Sequence, residues 1–316
     1  MDEIDRKILV ELDKNVRFSN TQIAKAARTS KDVVNYRINK LQKDGILTGF
    51  YCLPNTGKTG KILCKLLLKF QSIGKEKEQE LWKFIGDDPR TVWVGSCDGT
   101  WNMIATLSLE NFRDMADIIS RVNAKYGKYL SKKEMLIITS VTKFNEKYLY
   151  PKGAFIYETK FTIDEPSIDL DKKDRTLLKE LSINSRMSTV DLSKKINLTP
   201  EATAKRLKRL EKEGVILGYK PRINFAKLGY DYFHLFISAK NPQIVKEIIQ
   251  YYKTHPNCVY ALEEAGYYDM HLEFVVKGTQ RFREILEDLR DKFGDKIHEY
   301  EPLQIYTEYK IVIYPS

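Results

Sequence analysis

The stretch "KDVVNYRINKLQKDG" (residues 31–45) sets Asn35, Arg37, Asn39, Lys40 and Lys43 at helical spacing, and "PEATAKRLKRLEKEG" (200–214) does the same with Lys205, Arg206, Lys208, Arg209 and Lys212. Lysine and arginine neutralise phosphates and release counterions, whereas asparagine pairs bidentately with adenine and lysine reaches guanine. The chemistry these residue types perform together is recognition of a polyanion. Catalytic chemistry has far less to stand on. There is no GxSxG, HExxH, P-loop or dinucleotide fingerprint. The four histidines (His234, His255, His271 and His298) all fall in the second half, so no His-rich metal site and no cofactor is expected. His271 lies on a predicted strand and reads as a core or interface residue. Cys52, Cys64, Cys97 and Cys258 have neither CxxC spacing nor a dense framework, and read as reduced thiols.

The basic residues need elements to present them, and those elements occur twice. Residues 2–50 set over 171–219 without a gap are identical at about fifteen of 49 positions. In the first copy Ile4, Ile8, Leu9 and Leu12 make an apolar helical stripe. Ser19 caps a short helix with Ile23, Ala24 and Ala27 inward, and a turn at Thr29–Ser30 leads to a third helix ending near Gly45. In the second copy Leu177, Leu178 and Leu181, then Leu192 and Ile196, then Leu207 and Leu210 repeat the pattern, with Thr199 as cap and Pro200 at the first helical position. Two short helices joined by a tight turn, the second with a basic face, make a helix-turn-helix, and "ILTGFY" adds a wing strand.

After each such motif the rhythm becomes strand, helix, strand, strand, helix, strand: a ferredoxin-like βαββαβ arrangement with two helices on one sheet face. The bare opposite face points to pairing with another sheet, hence to a homo-oligomer. The expected fold is α+β in two tandem units. They divide as winged helix-turn-helix 1–52, βαββαβ domain 60–150, linker 151–168, second winged helix-turn-helix 169–222 and second βαββαβ domain 230–316. The formal net charge of +10 also favours a polyanionic partner. No apolar run approaches the ~18–20 residues of a membrane span, and "MDEIDRK" is unlike a signal peptide, so a cytoplasmic, nucleoid-associated protein without a membrane partner is expected.

The segments "EIDRKILVELDKNVRFSNTQIAKAA", "RINKLQKDGI", "NSRMSTVDLSKKINLTPEATAKRLKRLEKEGVI" and "GYYDMHLEF" together resemble the leucine-responsive/asparagine regulator (Lrp/AsnC) family, over nearly the whole chain and twice. The resemblance implies a transcriptional regulator that binds double-stranded DNA, oligomerises through its βαββαβ domains and takes an amino-acid effector. It places the effector at Gly266, Tyr267, Tyr268 and Asp269, and at Gly99, Trp101 and Asn102 in the first copy. There Asn102 stands for the family's aspartate, and an amide has no charge to offer an ammonium group.

Sequence reading needs side chains at the exposed start of the third helix. These are Ser30, Lys31, Asn35, Tyr36 and Asn39 in one head, and Thr199, Glu201, Ala204 and Lys205 in the other. Lys40, Arg206, Lys208 and Arg209 suit phosphates, while Arg37 and Arg206, at equivalent positions beside the apolar stripe, equally suit helix packing. Because the heads differ, an asymmetric site is expected. The enzyme reading is the rival: sirohaem decarboxylases share this outline but hold a tetrapyrrole among histidines and arginines, and the first copy has no histidine. A non-enzymatic regulator is therefore the expectation, ahead of an interaction protein that has lost DNA binding.

Overall fold

Short polar caps start the helices where the repeat places them. In the computed structural model, which describes residues 1–150 and 157–314, α1 (Glu3–Lys14) opens on a reciprocal cap between Asp2 and Asp5. Its counterpart α6 (Lys172–Ile183) opens on the same device between Asp171 and Asp174. The helices α2 (Asn20–Ala27) and α7 (Thr189–Ile196) end at Arg28 and Asn197, both left-handed, which turns the chain sharply into α3 (Lys31–Lys43) and α8 (Pro200–Lys212). The wings are β1 (Leu47–Pro54) and β7 (Ile216–Ile223), and they pair antiparallel with each other, joining the two heads by one ribbon.

The ribbon is also an exchange. Val16 N–H donates to the Tyr219 carbonyl and Ser185 N–H to that of Phe50, so each head packs on the other copy's wing. One apolar core runs through both heads, with Ile8, Leu12, Ile38 and Leu41 beside Leu177, Leu181, Leu207 and Leu210.

The remainder is two βαββαβ units. The first comprises β2 (Ile62–Phe70), α4 (Lys75–Asp87), β3 (Thr91–Asp98), β4 (Met103–Leu109), α5 (Phe112–Tyr126) and β5 (Leu130–Phe144). After β6 (Glu158–Thr162) and the second head come β8 (Asp231–Ala239), α9 (Pro242–Tyr252), β9 (Cys258–Ala265), β10 (Met270–Val276), α10 (Gly278–Phe293) and β11 (Ile297–Ile311). The fold is thus α+β, with two tandem units each joining a winged helix-turn-helix to a ferredoxin-like domain. The segment read as a linker carries β6, which pairs with the second half of β5; its residues 151–156 lie outside the described part.

The sheet faces left bare by the helices do not wait for a second chain. The sheet order is β2-β4-β3-β11-β8-β10-β9-β5-β6, and β2 also pairs with β5, so the first eight of these strands close into a ring. Closure comes from the two longest strands. β5 pairs with β2 up to Ile137 and with β9 from there on; β11 pairs with β8 and then with β3. The helices cover the outside, where α4 and α5 bury Leu81, Ile85 and Ile118 and α9 and α10 bury Ile248, Ile285 and Leu289. Alternation then turns Leu63, Lys65 and Leu67 of β2 inward. The expected sheet pairing is real, but its partner is the other copy within the same chain.

A buried polar tie locks heads to barrel. Asp13, fully buried on α1, accepts at Oδ2 from the Glu146 N–H (2.9 Å), the Tyr150 hydroxyl (3.0 Å) and the Tyr157 hydroxyl (2.9 Å). Lys220 Nζ of β7, itself buried, reaches Asp13 O (2.6 Å) and Oδ1 (3.3 Å). Removing one partner of such a pair strands the other in a dry interior. Asp13→Ala and Lys220→Met are therefore each expected to cost about 3–5 kcal/mol of unfolding free energy, with the double variant Asp13→Asn/Lys220→Met, which removes both charges, milder; denaturant titration reads all three.

Candidate nucleic-acid interface and internal cavity

The recognition helices expose the side chains that sequence reading requires. On α3, Lys31, Asn35, Asn39 and Lys40 are exposed and Tyr36 is 63% exposed; on α8, Glu201, Lys205 and Lys208 are exposed. Ser30 and Thr199 are caps: their hydroxyl oxygens accept from Val33 N (3.1 Å) and Ala202 N (3.2 Å), which fixes how each helix starts. Asn35 Oδ1 also accepts weakly from Asn20 (3.4 Å), and with Asn39 and Arg186 it lines a recess between the heads.

Three arginines of this face are paired within their heads, the helix-packing role that Arg37 and Arg206 equally suited. Arg37 bonds Asp2 (2.5 Å) and Asp5 (3.1 Å). Arg206 bonds Asp171 and Asp174 (both 2.7 Å), and Arg209 bonds Asp174 (2.5 Å). Asp5 and Asp174 are buried, and each needs a cation once it leaves water, so these arginines clamp the recognition helix to the cap of the first helix. Lys31, Lys40, Lys43, Lys205, Lys208 and Lys212 have no ion-pair partner among the described residues, so their ammonium groups stay available to an anion.

The two glycine loops meet across the pseudo-twofold. A Cβ on Gly266 would lie 2.6 Å from Leu136 Cδ2 of β5, so the second copy's loop packs tightly on the first copy. Trp101 Nε1 donates to the Tyr268 hydroxyl (3.4 Å), both residues being buried, while Tyr267 is exposed. Asn102 Oδ1 accepts from Phe70 N (3.0 Å), and Asp269 Oδ2 accepts from the equivalent Ala239 N (2.7 Å) and more weakly from Ser238 (3.4 Å). Amide and carboxylate thus brace the same strand end in each copy, a role that does not depend on charge. Beside the loops a recess of about 610 Å³ is lined by Trp101, Lys132, Glu134, Tyr267, Tyr268, Glu299 and Glu301; of the residues expected to hold an effector, Gly99, Asn102, Gly266 and Asp269 are not part of its wall.

A cavity of about 260 Å³ between the wing ribbon and the mouth of the barrel is the feature that sequence reading missed. Tyr51, Leu53, Arg222 and Ile223 come from the ribbon; Lys65, Trp93, Lys143, Tyr232, His234, Tyr260 and Glu273 come from the barrel. Its walls are mainly apolar and aromatic, with a few converging charges, the composition of a small-molecule site. Burial pushes the Lys65 ammonium and the His234 imidazolium down from their ordinary ranges. Burial raises Glu273, but His234, His271 and Lys65 outweigh it and hold its carboxyl below the usual range. The sequence marked "YFHLFIS" as a strand, with apolar residues on both faces and so no sign of which way His234 points. Nor could it show which strand of the other copy faces it.

A winged helix-turn-helix DNA-binding family model matches residues 1–48 and 170–216. Over 122 residues the chain is 33% identical to the proline dehydrogenase transcriptional activator of Rhizobium radiobacter, covering 37% of this chain and 78% of that one. It is also 33% identical over 134 residues to an uncharacterised HTH-type transcriptional regulator of Pyrococcus horikoshii, covering 42% and 84%. Identity to the leucine-responsive regulatory protein of Haemophilus influenzae reaches 49% over 55 residues, covering 17% of this chain and 33% of the relative. Among solved structures, the siroheme decarboxylase NirDL matches 98% of this chain and 93% of its own at a TM-score of 0.67 and 14% identity, a likeness of fold.

If the exposed lysines carry the phosphate contacts, Lys208→Ala with Lys212→Ala should lower the slope of log affinity against log salt by about 1.8, at ~0.9 for each phosphate no longer neutralised. Arg206→Ala should instead lower the melting temperature while leaving that slope nearly unchanged. Duplex binding at several salt concentrations, with a melting curve for each variant, separates the two roles.

Proposed function

Because the chain belongs to the leucine-responsive/asparagine regulator (Lrp/AsnC) family, we propose that it is a sequence-specific transcriptional regulator whose single chain carries two unlike DNA-reading heads. One observation carries this reading: the ribbon and shared core fix both heads to one frame while leaving α3 and α8 with exposed polar and basic faces. The heads would read different half-sites, through Lys31, Asn35, Tyr36 and Asn39 in one and Glu201 and Lys205 in the other, with Lys40 and Lys208 on phosphates. Further chains would assemble through surfaces other than the inner sheet faces, which the two copies already occupy.

A small effector fits this reading, with an amino acid at the recess beside the glycine loops as the family-based choice. Its ammonium group would rely on Glu299 and Glu301, which line the recess, whereas Asp269, to which the family resemblance gives this role, lies outside the wall and braces Ala239 N. Such a ligand alters DNA binding only through unequal affinity for two states of the protein. Calorimetry with the twenty amino acids on wild type, Glu301→Gln and Asp269→Asn tests the placement: one ligand per chain, weakened by Glu301→Gln, supports it, and two equivalent sites per chain would sink it.

A second reading is favoured by the cavity. Lys65, Lys143, Arg222 and His234 around aromatic walls suit a flat, anionic ligand, and the whole-chain likeness to a siroheme decarboxylase, also solved with an iron-uroporphyrin III analogue, puts tetrapyrroles first among candidates, for which the ribbon would have to move off the barrel mouth to widen the cavity. A titration of sirohaem into the protein, followed by absorbance, supports this reading with a saturable shift lost in His234→Ala, and removes it with none.

The regulator reading is tested by Asn35→Ala with Tyr36→Ala. On duplexes selected by the wild type, this variant is expected to lose discrimination, ~1–3 kcal/mol per base contact, in one half of the site only. Equal loss in both halves would rule out two independent heads.

A further inference from the structure

We infer that His234, His271 and Glu273 form a binding site for one divalent transition-metal ion of the zinc class, on the inner face of the barrel at the floor of the cavity. The strand register supplies the set: His234 lies directly opposite Glu273 across β8 and β10, and His271, two residues before Glu273, points to the same face. All three side chains are buried, and one donor atom from each falls within 4.8 Å of the others. His271 Nε2 is 3.2 Å and His234 Nε2 is 3.7 Å from Glu273 Oε1. Donors around a tetrahedral zinc with bonds of about 2.0–2.2 Å sit about 3.3–3.5 Å apart, so small side-chain rotations close the site.

The surroundings are those of a ligand set. The Glu264 carboxylate holds His271 Nδ1 at 2.9 Å, the outer carboxylate that orients a metal-bound imidazole and presents Nε2. The Tyr232 hydroxyl donates to Glu273 Oε2, leaving Oε1 for the ion. The decisive feature is His234. It is 1% exposed, and neither of its ring nitrogens has a hydrogen-bond partner. An imidazolium of His271 bridging the two carboxylates would account for Glu264 and Glu273, but it leaves His234 orphaned; a metal ion uses it. His234 and Glu273 also face the cavity, which gives the ion a way in and leaves open coordination positions for a ligand there.

Among the described residues the first copy holds no second site. Its equivalent pairs on β2 and β4 are Lys65 opposite Thr106 and Leu67 opposite Ile104, which replace the His–Glu and Phe–His pairs of β8 and β10. Lys65 instead brings its Nζ to 4.0 Å from Glu273 Oε1 as the cation that now faces this carboxylate. It therefore competes with the metal, and removing it should favour binding.

The test is a titration of chelator-stripped full-length protein with Co2+ and Zn2+, followed by visible absorbance, calorimetry and melting temperature. Expected are one ion per chain, d–d bands of a low-coordinate Co2+ displaced by Zn2+, and a melting temperature raised by Zn2+. His234→Ala should abolish the bands, Glu264→Gln should weaken affinity about 10–100-fold, and Lys65→Met should tighten it. Circular dichroism checks that each variant folds. No binding by both wild type and Lys65→Met, or binding that folded His234→Ala retains in full, would overturn the assignment.

Discussion

The structure depends on two strands being shared. β5 and β11 are each 15 residues long, and each spends its first half in its own copy's sheet and its second half in the other's. Without that exchange each βαββαβ sheet would keep a bare apolar face and an unpaired edge, a surface that self-associates. With it, both faces become one interior and both edges vanish. The β1–β7 ribbon repeats the exchange in the heads, and the Asp13–Lys220 tie joins the two levels. Covalent tandem linkage makes these contacts intramolecular, at high effective concentration, so they form without a second chain.

Linkage has another consequence. Two copies in one chain are free to diverge, and they have done so where symmetry would otherwise repeat a function. The heads keep the Arg37 and Arg206 clamps but present different reading residues. The barrel interior keeps the fold but sets Lys65, Ile104 and Thr106 where the other copy has His234, His271 and Glu273. A homodimer would place two histidine clusters across the axis; this chain holds one cluster facing one lysine.

Much of this was legible in the sequence. The caps, the tight turn before each third helix and the 3.6-residue stripes were enough for the heads, because helix signals are local. The order of strands and helices gave each ferredoxin-like unit for the same reason. The exchange was not legible, since nothing local says which sheet the second half of a strand joins; the length of β5 and β11 was the available hint. Arg209 looked like a phosphate ligand because its spacing suits one, and only the buried Asp174 draws it inward. The His-x-Glu alternation at 271–273 marked two inward groups, but His234 is 37 residues away and joins them only through the register of β8 with β10.

The most direct measurement is selection of binding sites from a pool of random duplexes by the purified full-length protein, followed by sequencing of the bound fraction. Two rigidly joined, unlike heads should enrich a bipartite motif whose halves differ and keep a fixed spacing. Enrichment of a perfect palindrome would contradict the independence of the heads. A bound pool with no motif, at any salt concentration, would contradict sequence-specific recognition itself.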